Sequence, residues 1–201
     1  NSPAMDSIQS HLSRVRSMGA LPLSLQALVV ASVFRQGRKC ILWIVEDTEE
    51  MYRVQEDLAA FLDEALVRTY QNLDVRPYQD DSPSREVSAR RISLLHSMLT
   101  GSPGVVVAPF DSLLLPVMPP GDLAGSVIRL AVDGDIDRDA LAERLVRMGY
   151  TREALIDDIG QFSVRGSVVD VFSPGMDEPA RIDLFGDTIT SIKTFRLATQ
   201  R

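Results

Sequence analysis

The sequence is poor in the residues that carry most metal and redox chemistry: its 201 residues include two histidines, His11 and His96, and a single cysteine, Cys40. The three fall on different predicted elements, so no metal centre is expected from them. One cysteine forms no internal disulfide and fits a reducing cytoplasm. Cys40 opens the apolar run Cys40-Ile41-Leu42-Trp43-Ile44-Val45 and reads as a small buried hydrophobe rather than a nucleophile. Long hydrophobic runs are also missing. Leu21 to Phe34 and Cys40 to Val45 are too short or too interrupted for the ~20-residue helix that crosses a bilayer, so no membrane partner is expected. No basic stretch followed by an apolar core and a small-residue cleavage site marks a secretory leader. Basic charge is in deficit as well, with 21 Lys and Arg against 28 Asp and Glu and a net charge of -7. That balance argues against the whole chain wrapping nucleic acid, because phosphate binding needs clustered cations.

Phosphate-binding glycines are absent too. Neither Gly-x-x-x-x-Gly-Lys-[Ser/Thr] nor Gly-x-Gly-x-x-Gly occurs, and before the first long helix the only glycine is Gly19, in Met18-Gly19-Ala20-Leu21-Pro22-Leu23-Ser24. Without a second glycine the backbone amides form no anion nest, and without the lysine nothing reaches the terminal phosphates. Nucleotide hydrolysis and a nucleotide cofactor are therefore not expected. Acidic clusters at Glu46 to Glu50, Asp80-Asp81 and Asp133-Gly134-Asp135 read as solvated loop and helix-start charge, which the helix dipole favours, rather than as a cation site or an acid–base pair.

What is present is a globular composition, 45% hydrophobic and 24% charged, in alternating helix and strand patterns. Helices are expected at Leu23 to Phe34 and after the capping box Asp47-Thr48-Glu49-Glu50, whose Met51, Val54, Leu58 and Phe61 share one face. A third is expected from Ser84 to Leu99, with Val87, Ile92, Leu95 and Met98 inward. Strands are expected at Cys40 to Val45, Leu66 to Tyr70 and Gly104 to Pro109, and a polar loop at Pro77 to Pro83. This is an α/β pattern: a first domain, residues 1–121, with a mostly parallel sheet flanked by helices. Pro116, Pro119, Pro120 and Gly121 mark the boundary. Residues 122–201 change character and predict a small α+β domain: a strand at Ser126 to Val132, a helix from about Asp137 to Met148, then an antiparallel meander. Its strands are Phe162 to Phe172, Ala180 to Phe185 and Thr188 to Phe195, the last two joined by a tight hairpin at Gly186-Asp187.

Alternation along Ala180-Arg181-Ile182-Asp183-Leu184-Phe185 sends Ala180, Ile182 and Leu184 to the core and Arg181, Asp183 and Phe185 to the opposite face. In Phe162-Ser163-Val164-Arg165-Gly166 the same rule places Arg165 on that outer face, with Gly166 at a bulge or a close backbone approach. Arg165, Arg181 and Phe185 would converge if the strands pair antiparallel. Arginine beside an aromatic is the composition of an interface hot spot. An Arg–Asp183 pair across strands, with Phe185 covered by a loop, accounts for the pattern equally well.

The run from Phe162 to Gly175, followed by Pro179 to Ile189 and Ile192, resembles the domain shared by the excision-repair protein UvrB and the bacterial transcription-repair coupling factors. Pro77-Tyr78-Gln79-Asp80-Asp81-Ser82-Pro83-Ser84-Arg85-Glu86, Arg90-Arg91-Ile92 and Gly104 to Pro109 are similar to the coupling factors in particular, which have lost the phosphate loop that UvrB keeps. The resemblance covers nearly the whole chain, most weakly before residue 20. It implies a non-catalytic N-terminal module with a degenerate phosphate loop, recruiting UvrA to lesions where RNA polymerase has stalled in transcription-coupled nucleotide excision repair. It further implies that Arg165, Arg181 and Phe185 contact UvrA, and that a C-terminal domain of the longer protein masks this surface until the protein is engaged. An ATP-dependent DNA translocase and a polymerase-binding domain would follow beyond residue 201 and make the contacts with DNA and RNA polymerase. A segment after the second domain would complete the first, leaving an exposed sheet edge or face without it. The alternative is a UvrB-like ATP-dependent helicase fragment, which would bind ATP and magnesium.

Overall fold

The computed structural model describes residues 21–73 and 84–199. Gly19, His11 and the loop from Pro77 to Pro83 lie outside them. The described residues divide into two compact units, residues 21–73 with 94–117 and residues 84–93 with 118–199.

In the first unit, helix α1 (Leu23–Gly37) leads to strand β1 (Ile41–Val45), helix α2 (Thr48–Ala59) and strand β2 (Val67–Thr69). Helix α3 (Arg85–Leu99), which belongs to this unit from residue 94 onward and to the second unit before it, precedes strand β3 (Val105–Pro109). The three strands form a parallel sheet in the order β1-β3-β2. The Asp47 half of the capping box forms as its spacing requires, Asp47 Oδ1 accepting from the Glu50 amide at 2.8 Å, while Glu50 Oε2 accepts at 2.8 Å from the amide of Glu46, one residue before the cap. Met51, Val54 and Leu58 of α2 are fully buried against Ala27, Ala31 and Phe34 of α1 and against Val105 and Val107. On the other face of the sheet Val106 and Ala108 pack with Tyr70 and Leu94. The inward face of α3 differs from the expected one: Ala89, Arg91 and Leu94 are buried, while Ile92 and Met98 are exposed. Cys40 is exposed just before β1 rather than buried within it. Leu42 and Ile44 of β1 are about half exposed.

In the second unit, short helix α4 (Pro120–Gly125) begins at the expected proline-rich break, since proline suits the first helical turn. The expected strand from Ser126 to Val132 does not form. Ile128 and Leu130 pack against the core as their alternation suggests, yet no ladder is made; the carbonyls of Gly125 and Val127 accept from the Arg144 side chain instead. Helix α5 (Arg138–Arg147) is capped by Asp137, whose carboxylate accepts from the amides of Asp139 and Ala140. A five-stranded sheet follows: β4 (Thr151–Arg152), β5 (Gln161–Arg165), β6 (Val168–Phe172), β7 (Ala180–Phe185) and β8 (Thr188–Thr194), in sequence order. Only β4 and β5 are parallel.

The expected strand from Phe162 to Phe172 is therefore two antiparallel strands. Gly166-Ser167 turns the chain, with Gly166 at φ +59°, a conformation that suits glycine at the first position of a two-residue hairpin. Gly186 at φ +61° repeats the device between β7 and β8. A bulge shifts the register beside Asp183/Leu184, so that Ile182 pairs with Ile192 and Leu184 with Ile189. One extra residue, Thr190, lets two isoleucines three apart both face the core. The core consists of Leu141 and Leu145 of α5 against Phe162, Val169, Ile182, Leu184 and Ile189. Each such side chain removed from water contributes roughly 1.5–3 kcal/mol before chain entropy is subtracted.

Tyr150, packed against this core, donates from its hydroxyl to Ser173 Oγ at 2.9 Å. Burial pushes its pKa above the ordinary 10.0, opposed by the bond to Ser173. The folded state thus holds this proton more tightly than the unfolded chain does. Its contribution is complete below pH 10 and is lost as pH rises through the folded value. Urea unfolding of wild type and Tyr150→Phe between pH 8 and 11 should show a steeper alkaline loss of stability in the wild type.

Candidate partner-docking face

The outer face of the antiparallel sheet is laid out by register. Ser163, Asp170, Arg181 and Lys193 lie in one row across β5 to β8. Arg165, Val168, Asp183 and Ser191 form the next. Directly opposed residues share a face, so each row presents its side chains together.

Asp170 organises the first row. It is 1% exposed, in the middle strand of the five, and such a carboxylate persists only if it is paired and hydrogen-bonded. Arg181 supplies a fork: Nε donates to Asp170 Oδ1 at 2.7 Å and Nη2 to Oδ2 at 2.9 Å. Arg165 Nη2 reaches the same Oδ2 from the other side at 2.5 Å. The Asp170 hydrogen bond raises the Arg181 pKa above its ordinary value, opposed by burial and helped by the charges of Asp170 and Asp183. The Arg181 guanidinium also stacks on the Phe195 ring, 4.5 Å from its centroid. Phe195 belongs to a small apolar cluster with Ile156 and Phe172, which caps this end of the outer face.

The two arginines therefore meet, but through a residue the alternation argument did not single out. A lone Asp inside Val168-Val169-Asp170-Val171-Phe172 was the available signal. The alternative pairing partner, Asp183, accepts instead from Ser191 Oγ at 2.6 Å. Phe185 stands apart from the pair. It lies four residues along β7 from Arg181, about 13 Å of strand, beside the Gly186-Asp187 turn, and at 83% exposure it is covered by no loop among the described residues.

Charge on the face is positive although the chain is acidic. Arg165 and Arg181 against Asp170 leave one unit of positive charge, and adding the exposed Lys193 and the partly buried Asp183 leaves the same excess. Arg181 is held at both ends by fork and ring, whereas Arg165, with 46% of its side chain exposed, is tied through one nitrogen and keeps donors turned to solvent. A half-open cation, a second one fixed edge-on and a bare phenyl ring suit a partner surface with carboxylates beside an apolar pocket. Among the described residues no group of three or more His, Cys, Asp and Glu side chains is placed to hold a metal ion. No described helix is long and apolar enough to cross a membrane.

Residues 128–201 match the family model of the UvrB interaction domain, which takes in every residue of this face. The chain is also similar to the transcription-repair-coupling factor of Myxococcus xanthus, 36% identical over 196 residues, covering 94% of this chain and 16% of that protein. To the factor of Staphylococcus aureus strain USA300 it is 31% identical over 178 residues, 89% of this chain and 15% of that protein. The factor of Staphylococcus epidermidis strain RP62A is 28% identical over the same shares. The chain thus spans 15–16% of the length of the curated relatives it matches.

Proposed function

The chain is a UvrB-homology module of the transcription-repair-coupling factors, and on that premise we propose that it performs no chemistry of its own but docks the repair protein UvrA. In this reading residues 1–121 form a UvrB-like first domain with a degenerate phosphate loop, and residues 122–201 form the docking domain. Translocation along DNA driven by ATP, and contact with RNA polymerase, belong to other parts of the full-length protein, which acts in the cytoplasm. The module brings UvrA to lesions where polymerase has stalled.

The observation that carries this reading is the exposed Phe185 on the same sheet face as Arg165 and Arg181, in a domain matched by the UvrB interaction family. Arg165 and Arg181 give charge-assisted hydrogen bonds to carboxylates of UvrA, and Phe185 enters an apolar pocket farther along the same face. Titration of the module with UvrA tests it. Replacing Arg181 by alanine should weaken binding about 30-fold, corresponding to roughly 2 kcal/mol for loss of a central anchor. Arg165→Ala should weaken it less, about fivefold or roughly 1 kcal/mol, because half of that side chain is already in water. Wild-type affinity in both folded variants would remove the two arginines from the interface.

A further inference from the structure

We infer that Asp170 is the positioning residue of the docking face: it touches no partner but fixes both guanidinium groups in the orientation in which they bind. The inference rests on the UvrA-docking reading and adds to it the residue on which the arginines depend. Three observations carry it. Asp170 is 1% exposed, so its carboxylate is out of reach of a docking protein. All three hydrogen bonds described for that carboxylate come from Arg165 and Arg181. The two arginines sit on different strands and reach Asp170 from opposite sides, Arg165 from β5 and Arg181 from β7.

An arginine side chain has four rotatable bonds above its planar fork, and a partner that must freeze them loses affinity in proportion. Asp170 does that work in the free protein. Arg181 is then presented as a fixed plane between Asp170 and Phe195, and Arg165 as a tethered fork with free edges. Asp170 also withdraws one positive charge from the face, so the same residue that strengthens the complex moderates long-range attraction for an acidic partner. The two effects act on different rate constants. Preorganisation lengthens the life of the complex, whereas net charge governs encounter.

That separation gives the test. Asp170→Asn keeps the shape and removes the charge, and association and dissociation rates with purified UvrA are measured at several salt concentrations, well below the variant's melting temperature. Positioning predicts dissociation about tenfold faster, since the bidentate ion pair is replaced by a single uncharged acceptor oxygen beside an NH2 group that cannot accept from the guanidinium, with association at low salt unchanged or faster and more salt-sensitive. Tighter binding would mean that Asp170 only masks the arginines, and unchanged rates in a less stable protein would make it only a strut of the fold; either overturns the inference.

If Asp170→Asn does not fold, Arg181→Lys decides the matter, because lysine keeps the charge but cannot offer the fork. Positioning predicts that it binds UvrA as poorly as Arg181→Ala; wild-type affinity contradicts it. Failure of the underlying reading looks different: Arg181→Ala and Phe185→Ala would then bind UvrA like the wild type.

Discussion

Phe185→Ala should weaken UvrA binding about 30-fold, roughly 2 kcal/mol for an aromatic anchor buried at an interface, and should leave the melting temperature where it was. The combination follows from exposure. A phenyl ring that is 83% exposed contributes almost nothing to the folded chain, because little of its surface leaves water on folding. On the docking proposal its burial is deferred to the complex. The change adds no charge and lies about 13 Å along the strand from Arg181, so the Asp170 network is undisturbed. This makes it a cleaner probe than Arg181→Ala, which also removes the fork that shields a buried carboxylate. Binding by titration and melting by circular dichroism check the two halves separately. Unchanged affinity would leave the bare ring unexplained and take Phe185 out of the interface.

Phe162→Ala does the reverse. Phe162 is fully buried on β5, one residue before Ser163, in the core formed with Leu141, Leu145 and Val169. Truncation there costs about 3–5 kcal/mol through lost transfer energy and the cavity left behind, a large fraction of the 5–15 kcal/mol typical of a domain. Urea unfolding should record that loss. UvrA affinity measured where the variant is still folded should stay within about twofold of wild type, since apparent affinity falls only with the competent fraction. A large intrinsic loss of affinity with stability preserved would mean that the interface reaches residues assigned to the core. Together the two phenylalanines, one at 0% and one at 83% exposure, separate folding from docking.

Much of the outer sheet face was legible in the sequence because alternation is a hard geometric rule. Ala180, Ile182 and Leu184 are buried and Phe185 is bare, as a period of two requires. The helix beginning at Thr48 was legible for a similar reason, its cap and its apolar stripe agreeing. The failures arise where a local pattern has two physical solutions. From Phe162 to Phe172 the pattern suits one long strand as well as two short ones, and the turn at Gly166-Ser167, with Gly166 at positive φ, makes it a hairpin. Ile128 and Leu130 face the core in alternation, but a strand also needs a neighbour for its backbone, and there the Arg144 side chain takes the carbonyls. The convergence of Arg165 and Arg181 was legible only as a condition on pairing. Its agent, Asp170, was hidden because pairing of a buried charge is a property of three strands at once. Phe185 shares the face but not the cluster, since strand rise carries it past the network.

The central claim is that UvrA docks on the outer face of the antiparallel sheet. Its most direct test replaces Phe185 with the photoreactive residue benzoylphenylalanine and irradiates the module with UvrA, using Ile44 of the parallel sheet, about half exposed, as the control position. The docking account predicts a cross-link to UvrA from position 185, reduced by the Arg181→Ala background, and none from position 44. A cross-link from position 44 alone, or none from position 185 while UvrA still binds the module, would contradict it.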